Sequence, residues 1–178
     1  KHEYVWHDTI GRTIYQPWAT DLLPQEIDKN KNELTEENIR DRRKEIVFIG
    51  TYGEGVFGNR TEIDPFVNRG RALGYIFIRR ENISFGDDQI MVKNSEIAPT
   101  LVGEWQKKWG YIPCRIFKTI SYGHYGITNS PKVNEVFEGN LIHDTDNVKL
   151  FDKVINTKVT LDMIKSQMEY VKKHHTYI

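Results

Sequence analysis

The run EIVFIG (residues 45–50) is a continuous apolar stretch of strand length, stopped by a glycine. Strands buried on both faces have this composition, and parallel sheets covered by helices on either side are their usual setting. The chain beyond it agrees. A glycine-rich loop, GTYGEGVFGN (residues 50–59), leads into RTEIDPFVNRGRALG, where Ile63, Phe66, Val67 and Leu73 recur at helical spacing. Pro65 is expected in the first turn of that helix, where its missing N–H is tolerated, and Gly74 at its carboxyl-terminal cap. YIFIRR (residues 75–80) then reads as a second strand.

The alternation continues to the end of the chain. Residues 87–93 read as a short helix and residues 97–102 as an apolar strand whose Pro99 argues for an edge or a bulge. RIFKTISYG is helical, YGITN strand-like, PKVNEVF helical, NLIH strand-like and VKLFDKVI helical. In TLDMIKSQMEYVKKHH, the side chains of Leu161, Ile164, Met168 and Val171 line one helical face. Strands alternating with helices predict a three-layer α/β domain, Rossmann-like, with a mainly parallel sheet over residues 45–178. Residues 1–44 read as an aromatic linker and a connecting helix packed on that domain. Trp6, Tyr15, Trp18, Leu22 and Leu23 are available for packing, and TEENIRDRRK places acids early and bases late, as a helix dipole favours. The first residue is Lys1 and the last residues continue a helical pattern, so the chain is expected to be part of a longer two-domain protein.

Composition narrows the function. With 25 basic and 25 acidic residues there is no global field for nucleic acid, so any anion site is local. The single cysteine, Cys114, excludes an intrachain disulfide and suits a reducing, cytoplasmic compartment, with a membrane surface as an alternative location. No apolar run approaches the ~20 residues of a membrane span.

In parallel α/β sheets, ligands bind beyond the carboxyl ends of the strands, which directs attention to two stretches. GEGVFG satisfies the G-x-G-x-x-G spacing through Gly53, Gly55 and Gly58, after a strand and before a helix. The acidic residue expected about twenty positions on is missing, and Arg79 and Arg80 stand there instead. A simple glycine-rich connector explains the loop equally well. The second stretch is PCRIFKTISYGHYGITNS (residues 113–130). Arg115 and Lys118, three apart, share one helical face near free N–H groups, an unfavourable place for cations unless an anion binds. The alternative is that Arg115 pairs with a carboxylate and Lys118 is solvated. His124, in the glycine-flanked turn that follows, is a weak candidate for proton transfer, with a plain turn residue as its alternative. DTD (residues 144–146) reads as a turn, His174-His175 as a helix end, and Trp105 with Trp109 as core or interface residues.

This second stretch resembles the donor-binding domain of GT-B fold glycosyltransferases, with their helix, small-residue-glycine turn, strand and second helix. Pro113, Arg115, Gly123, Ile127 and Thr128 fall in matching places of the pattern P-x-R-x-x-E-x-x-A-x-G-x-x-V-I-x-x. IYQPWATDLLPQEI is similar to the connector from the amino-terminal domain, EIVFIGTYGEG to the first strand and loop, and MEYVKKHHTYI to the terminal helix. The resemblance implies sugar transfer from a nucleotide-diphosphate sugar to a glycan or other hydroxyl acceptor, without a bound metal or other cofactor. It implies a diphosphate site of Arg115 and Lys118. Gly50, Thr51, Gly53, Gly55 and Arg79 would line the cleft, with Tyr122, Gly123, Thr128 and Asn129 at the donor. The acceptor site falls to an amino-terminal domain upstream. One departure stands out: the family often has a ribose-binding glutamate where this chain has Lys118. A non-catalytic interaction module and a nucleotide-sugar epimerase-like enzyme are the alternative readings.

Overall fold

A computed structural model describes residues 18–81, 84 and 86–176. Trp6 and Tyr15, which entered the reading above, lie outside the described residues.

The apolar run at residue 45 is the middle of the sheet. β1 (Arg43–Ile49) pairs in parallel with β2 (Ile76–Arg80) on one side and with β3 (Ser95–Ile97) on the other. Central position explains the continuous apolar sequence, since Ile46, Val47 and Phe48 are all buried, alternating between the two faces. β4 (Ile127–Thr128) and β5 (Ile142–His143) form a second parallel pair. A parallel bridge between Thr100 and Thr128 ties that pair to the end of the β3 segment, giving the spatial order 2-1-3-4-5. Pro99 stands at the crossing point. Lacking an N–H, it ends pairing to β1, and the Thr100 N–H resumes pairing at the Ile127 carbonyl, 2.9 Å away.

Helices cover both faces. α3 (Arg60–Ala72) and α8 (Asn147–Asn156) pack on one side, where Phe66 and Phe151 meet edge to face at 5.0 Å. The other face carries α1 (Pro24–Glu33), α4 (Asp87–Asn94), α6 (Arg115–Ser121), α7 (Pro131–Val136) and α9 (Leu161–His174). Two short helices, α2 (Glu36–Arg40) and α5 (Glu104–Lys108), lie in connections. The result is the expected three-layer α/β arrangement. No helix among the described residues is long and apolar enough to cross a membrane.

One local expectation changes. Pro65 lies inside α3 rather than in its first turn. The helix starts earlier because the Asn59 carbonyl accepts the N–H groups of Glu62 and Ile63 at 3.1 and 3.0 Å. The described part of the segment before β1 packs on the domain and reaches into its core. Leu22 and Ile27 are buried in the core, Lys172 of α9 pairs with Asp28 at 2.8 Å, and Thr20 meets Ser121 of α6 through hydroxyls 2.6 Å apart. Gly74 does cap α3, with the positive φ of 85° that favours glycine.

Candidate functional site

The strand order creates one privileged crevice. From β1 the chain passes through α3 to β2 on one side, then returns through α4 on the opposite face to β3 on the other. Crossovers therefore diverge at the carboxyl ends of β1 and β3, the topological switch point where parallel α/β sheets take ligands. A cavity of about 240 Å³ lies there. Ile49 and Gly50 from β1, Ala98 and Pro99 from beyond β3, Tyr111 and Pro113 before α6, and Asp88 of α4 contribute to its walls.

Arg115 enters this cavity from the first residue of α6. Its Nε donates to the Ile49 carbonyl at 2.6 Å, and the guanidinium lies 4.0 Å from the centre of the Phe48 ring. The ring contact stabilises a cation by about 0.5–2 kcal/mol, which falls short of the cost of burying one. Burial accordingly pushes the guanidinium down to about 10, and no carboxylate among the described residues offsets it. At neutral pH the group stays charged, in a largely apolar cavity, with its remaining N–H groups available to an acceptor.

Lys118, one turn on, is arranged differently. Its ammonium pairs with Asp21 at 2.8 Å and lies 3.9 Å from Asp88. The Tyr122 hydroxyl donates into the same cluster, 2.7 Å from Asp21 Oδ2 and 3.3 Å from Asp88 Oδ2. Burial and the two carboxylates push the Tyr122 hydroxyl well above its ordinary range. Burial lowers Lys118, Asp21 outweighs it, and the net direction is upward. Asp21 comes from the segment ahead of α1, whose role at this cavity the sequence did not disclose. Tyr111 and Asp88 were also passed over as site residues, because each becomes a wall only when α4 and α6 converge on β1.

The expected backbone cradles are mostly occupied. At the start of α6, the Ile116 N–H goes to the Pro113 carbonyl at 3.3 Å, and those of Phe117 and Lys118 go to Cys114 at 3.1 Å each. In the glycine-rich loop, Asn59 closes the chain on itself: it accepts from the Gly53 N–H at 3.2 Å and donates to the Thr51 carbonyl at 2.8 Å. The Gly53 carbonyl accepts the N–H groups of Asn59 and Arg60 at 3.0 Å, and the Tyr52 N–H goes to Glu81 at 3.1 Å. Gly50 belongs to the cavity wall, whereas Thr51 is exposed and Gly53 and Gly55 border a separate hollow with Arg60 and Asp64. Arg79 pairs with Glu81 at 2.6 Å over the Tyr52 ring.

Other candidates fall elsewhere. Thr128 and Asn129 are fully buried at the carboxyl end of β4. The Asn129 amide donates to Glu62 at 3.1 Å and to the Val102 carbonyl at 3.0 Å, and its oxygen accepts the Val102 N–H at 2.9 Å. Gly123, with φ of 100°, ends α6 at the amino edge of the sheet, where its carbonyl accepts from Arg42 at 2.7 Å. His124 shares that edge. Its ring is buried, Nε2 donates to the Val92 carbonyl at 2.7 Å, and burial holds it well below the ordinary histidine range. Because α6 runs opposite to the strands, the turn after it lies across the sheet from Arg115, not beside the cavity.

Asp146 caps α8 through the N–H groups of Val148 and Lys149, at 2.9 and 3.1 Å, which accounts for the DTD turn. Trp105 and Trp109 are exposed rather than core, and Trp105 meets exposed Phe57 edge-on at 4.9 Å. Among the described residues no group of three or more His, Cys, Asp or Glu side chains is placed to hold a metal ion.

Among protein-family models, curated proteins and solved structures nothing matches this chain, so the switch-point cavity and its half-buried arginine are what speak for its function.

Proposed function

We propose that this chain is the donor-binding domain of a GT-B type glycosyltransferase, and that the β1–β3 cavity receives the diphosphate end of a nucleotide sugar. The observation that carries the reading is Arg115: a half-buried guanidinium at the switch point with no carboxylate partner among the described residues. A pyrophosphate would supply the counter-charge, and a planar guanidinium matches two phosphate oxygens at once. In transfer, the bond between the anomeric carbon and the phosphate oxygen breaks and the acceptor hydroxyl takes its place. Negative charge then grows on the departing diphosphate, where a fixed cation in an apolar wall stabilises it most. Lys118 contributes to the same field once a phosphate competes with Asp21 for its ammonium. The acceptor and any base for its proton belong to an amino-terminal domain upstream.

Titration calorimetry with UDP, GDP and their sugars tests this. Binding to one nucleotide diphosphate is expected, and Arg115→Ala is expected to weaken the diphosphate about 10–100-fold while leaving the weak affinity for the free nucleoside. A folded domain that binds none of these at millimolar concentration overturns the reading. The exposed cluster of Phe57, Trp105 and Trp109 favours a second reading, a non-catalytic interaction module. Such a module would bind no nucleotide and would lose its partner when Phe57 and Trp105 are replaced by serine.

A further inference from the structure

A second cavity, of about 340 Å³, lies at the amino edge of the sheet, where Arg42 precedes β1 and Asn94 precedes β3. Its size falls within the ~300–1,000 Å³ common to ligand pockets. Two half-buried cations, Arg42 and Lys93, stand in its wall with Asn30, Asn38 and Asn94. Arg42 spends one N–H, from Nη2 to the Gly123 carbonyl at 2.7 Å. Its Nε is shut off from solvent without an acceptor, and Nη1 has none among the described residues. Lys93 donates to Asn30 Oδ1 at 2.7 Å. The two acids of the wall are exposed and turned to other partners: Glu33 lies 3.9 Å from Lys29, and Asp41 3.4 Å from Arg40.

Helix ends account for where these cations sit. Arg42 caps the turn after α6, and Lys93 is in the last turn of α4, where positive charge suits the dipole. They leave the unspent N–H groups unexplained, since a guanidinium has five. Burial alone lowers Arg42 to about 10, with no carboxylate offsetting it. Burial first, with Glu33 opposing and Lys29 adding to it, lowers Lys93. Two positive charges are thus held in one hollow at a cost that an anion carrying two charges would relieve. We infer that this cavity binds a small doubly charged oxyanion, inorganic phosphate or a phosphomonoester, between Arg42 and Lys93. The inference is independent of what the switch-point cavity binds.

NMR of the full 178-residue chain tests it through the Arg42 Nε–H signal. Being shut off from solvent, that proton exchanges slowly with water and gives a peak of its own, identified by its loss in Arg42→Lys. Inorganic phosphate and glycerol phosphate are titrated at constant ionic strength. A saturable shift of the Arg42 signal at millimolar concentration or below is expected for at least one of them. Lys93→Gln is expected to weaken that binding about tenfold, as loss of a charge-assisted hydrogen bond does. Tighter binding of glycerol phosphate would make the ligand a phosphomonoester, and equal or weaker binding would make it inorganic phosphate; both support the site. A response confined to Gly50 and Arg115 at the switch point overturns the inference, as does an Arg42 shift that Lys93→Gln leaves unchanged. Should Lys93→Gln not fold, the wild-type titration of the Arg42 signal decides.

Discussion

Arg115 Nε lies 2.6 Å from the carbonyl oxygen of Ile49, so the helix that begins at the cavity is tied to the last residue of the central strand. Gly50 follows Ile49 with φ of 137°, a conformation that side chains disfavour, and a Cβ there would collide with Arg115 Nη2. Strand end and guanidinium thus fit only because residue 50 has no side chain. Gly50→Ala is expected to lower stability by about 1–3 kcal/mol through backbone strain and to displace the guanidinium, weakening diphosphate binding. In an Arg115→Ala background the collision is gone and only the strain remains, so the stability costs should be less than additive. A urea-unfolding double-mutant cycle measures this, and strict additivity would show that the two residues do not interfere.

Asp21 and Lys118 make a second prediction at the same cavity. The pair is partly buried, 2.8 Å apart, and a phosphate must compete with Asp21 for the ammonium. Asp21→Asn removes the competing charge yet leaves an oxygen for the Tyr122 hydroxyl. Diphosphate affinity is expected to rise about fivefold, the equivalent of about 1 kcal/mol, with a steeper salt dependence. The gain should vanish in Lys118→Gln. Weaker binding by Asp21→Asn would instead mean that Asp21 holds Lys118 in its working position.

The buried polar knot around Glu62 supports a third. Glu62 Oε2 accepts from Lys107 at 2.8 Å, Asn129 at 3.1 Å and Asn147 at 2.6 Å, joining α3, α5, the end of β4 and the start of α8. Removing the carboxylate takes the shared acceptor from two buried amides, Asn129 and Asn147, while half-buried Lys107 keeps Glu104 at 2.6 Å. Glu62→Ala is expected to cost about 1–3 kcal/mol, as leaving buried donors unpaired does, and Glu62→Gln distinctly less because its amide oxygen still accepts. Urea midpoints of the three proteins check the order.

The elements that were legible in the sequence are those whose own burial writes the pattern. EIVFIG declares a central strand because both faces are covered, and the spacing in α3 and α9 declares their inner faces. The α5 helix was not legible: five residues with an exposed tryptophan give no periodicity. At the site, Arg115 was found from a local oddity, a cation at the start of a helix after a proline. Its surroundings were not, since Asp88 reaches the cavity, and Asp21 the Lys118 ammonium, through tertiary packing alone. Adjacency also misdirects: His124 follows α6 closely in sequence, yet the direction of that helix carries it to the far edge of the sheet. The glycine loop has a cradle's spacing, but Asn59 occupies much of what such a cradle would offer.

That far edge yields a prediction about pH. His124 is buried beside Arg42, and its proton on Nε2 is spent on the Val92 carbonyl. Burial first, and Arg42 second, hold its folded pKa well below the ordinary 6.5. Above that value the ring is neutral in both folded and unfolded chains, and its contribution to stability is fully present. As the pH falls below about 6.5 the unfolded chain takes up a proton that the folded one refuses. Stability is then lost at up to about 1.4 kcal/mol per pH unit until the depressed folded value is reached. His143 is lowered in the same direction by burial and adds to the slope. The carboxylates lowered by lysine and arginine partners, such as Asp28 and Glu81, act only further down, through the ordinary carboxylate range. Urea midpoints between pH 7.5 and pH 5.5 should therefore fall for the wild type and fall distinctly less for His124→Gln, whose amide can still donate to Val92. A wild-type slope unchanged by that substitution would mean that His124 takes up its proton without unfolding the amino edge.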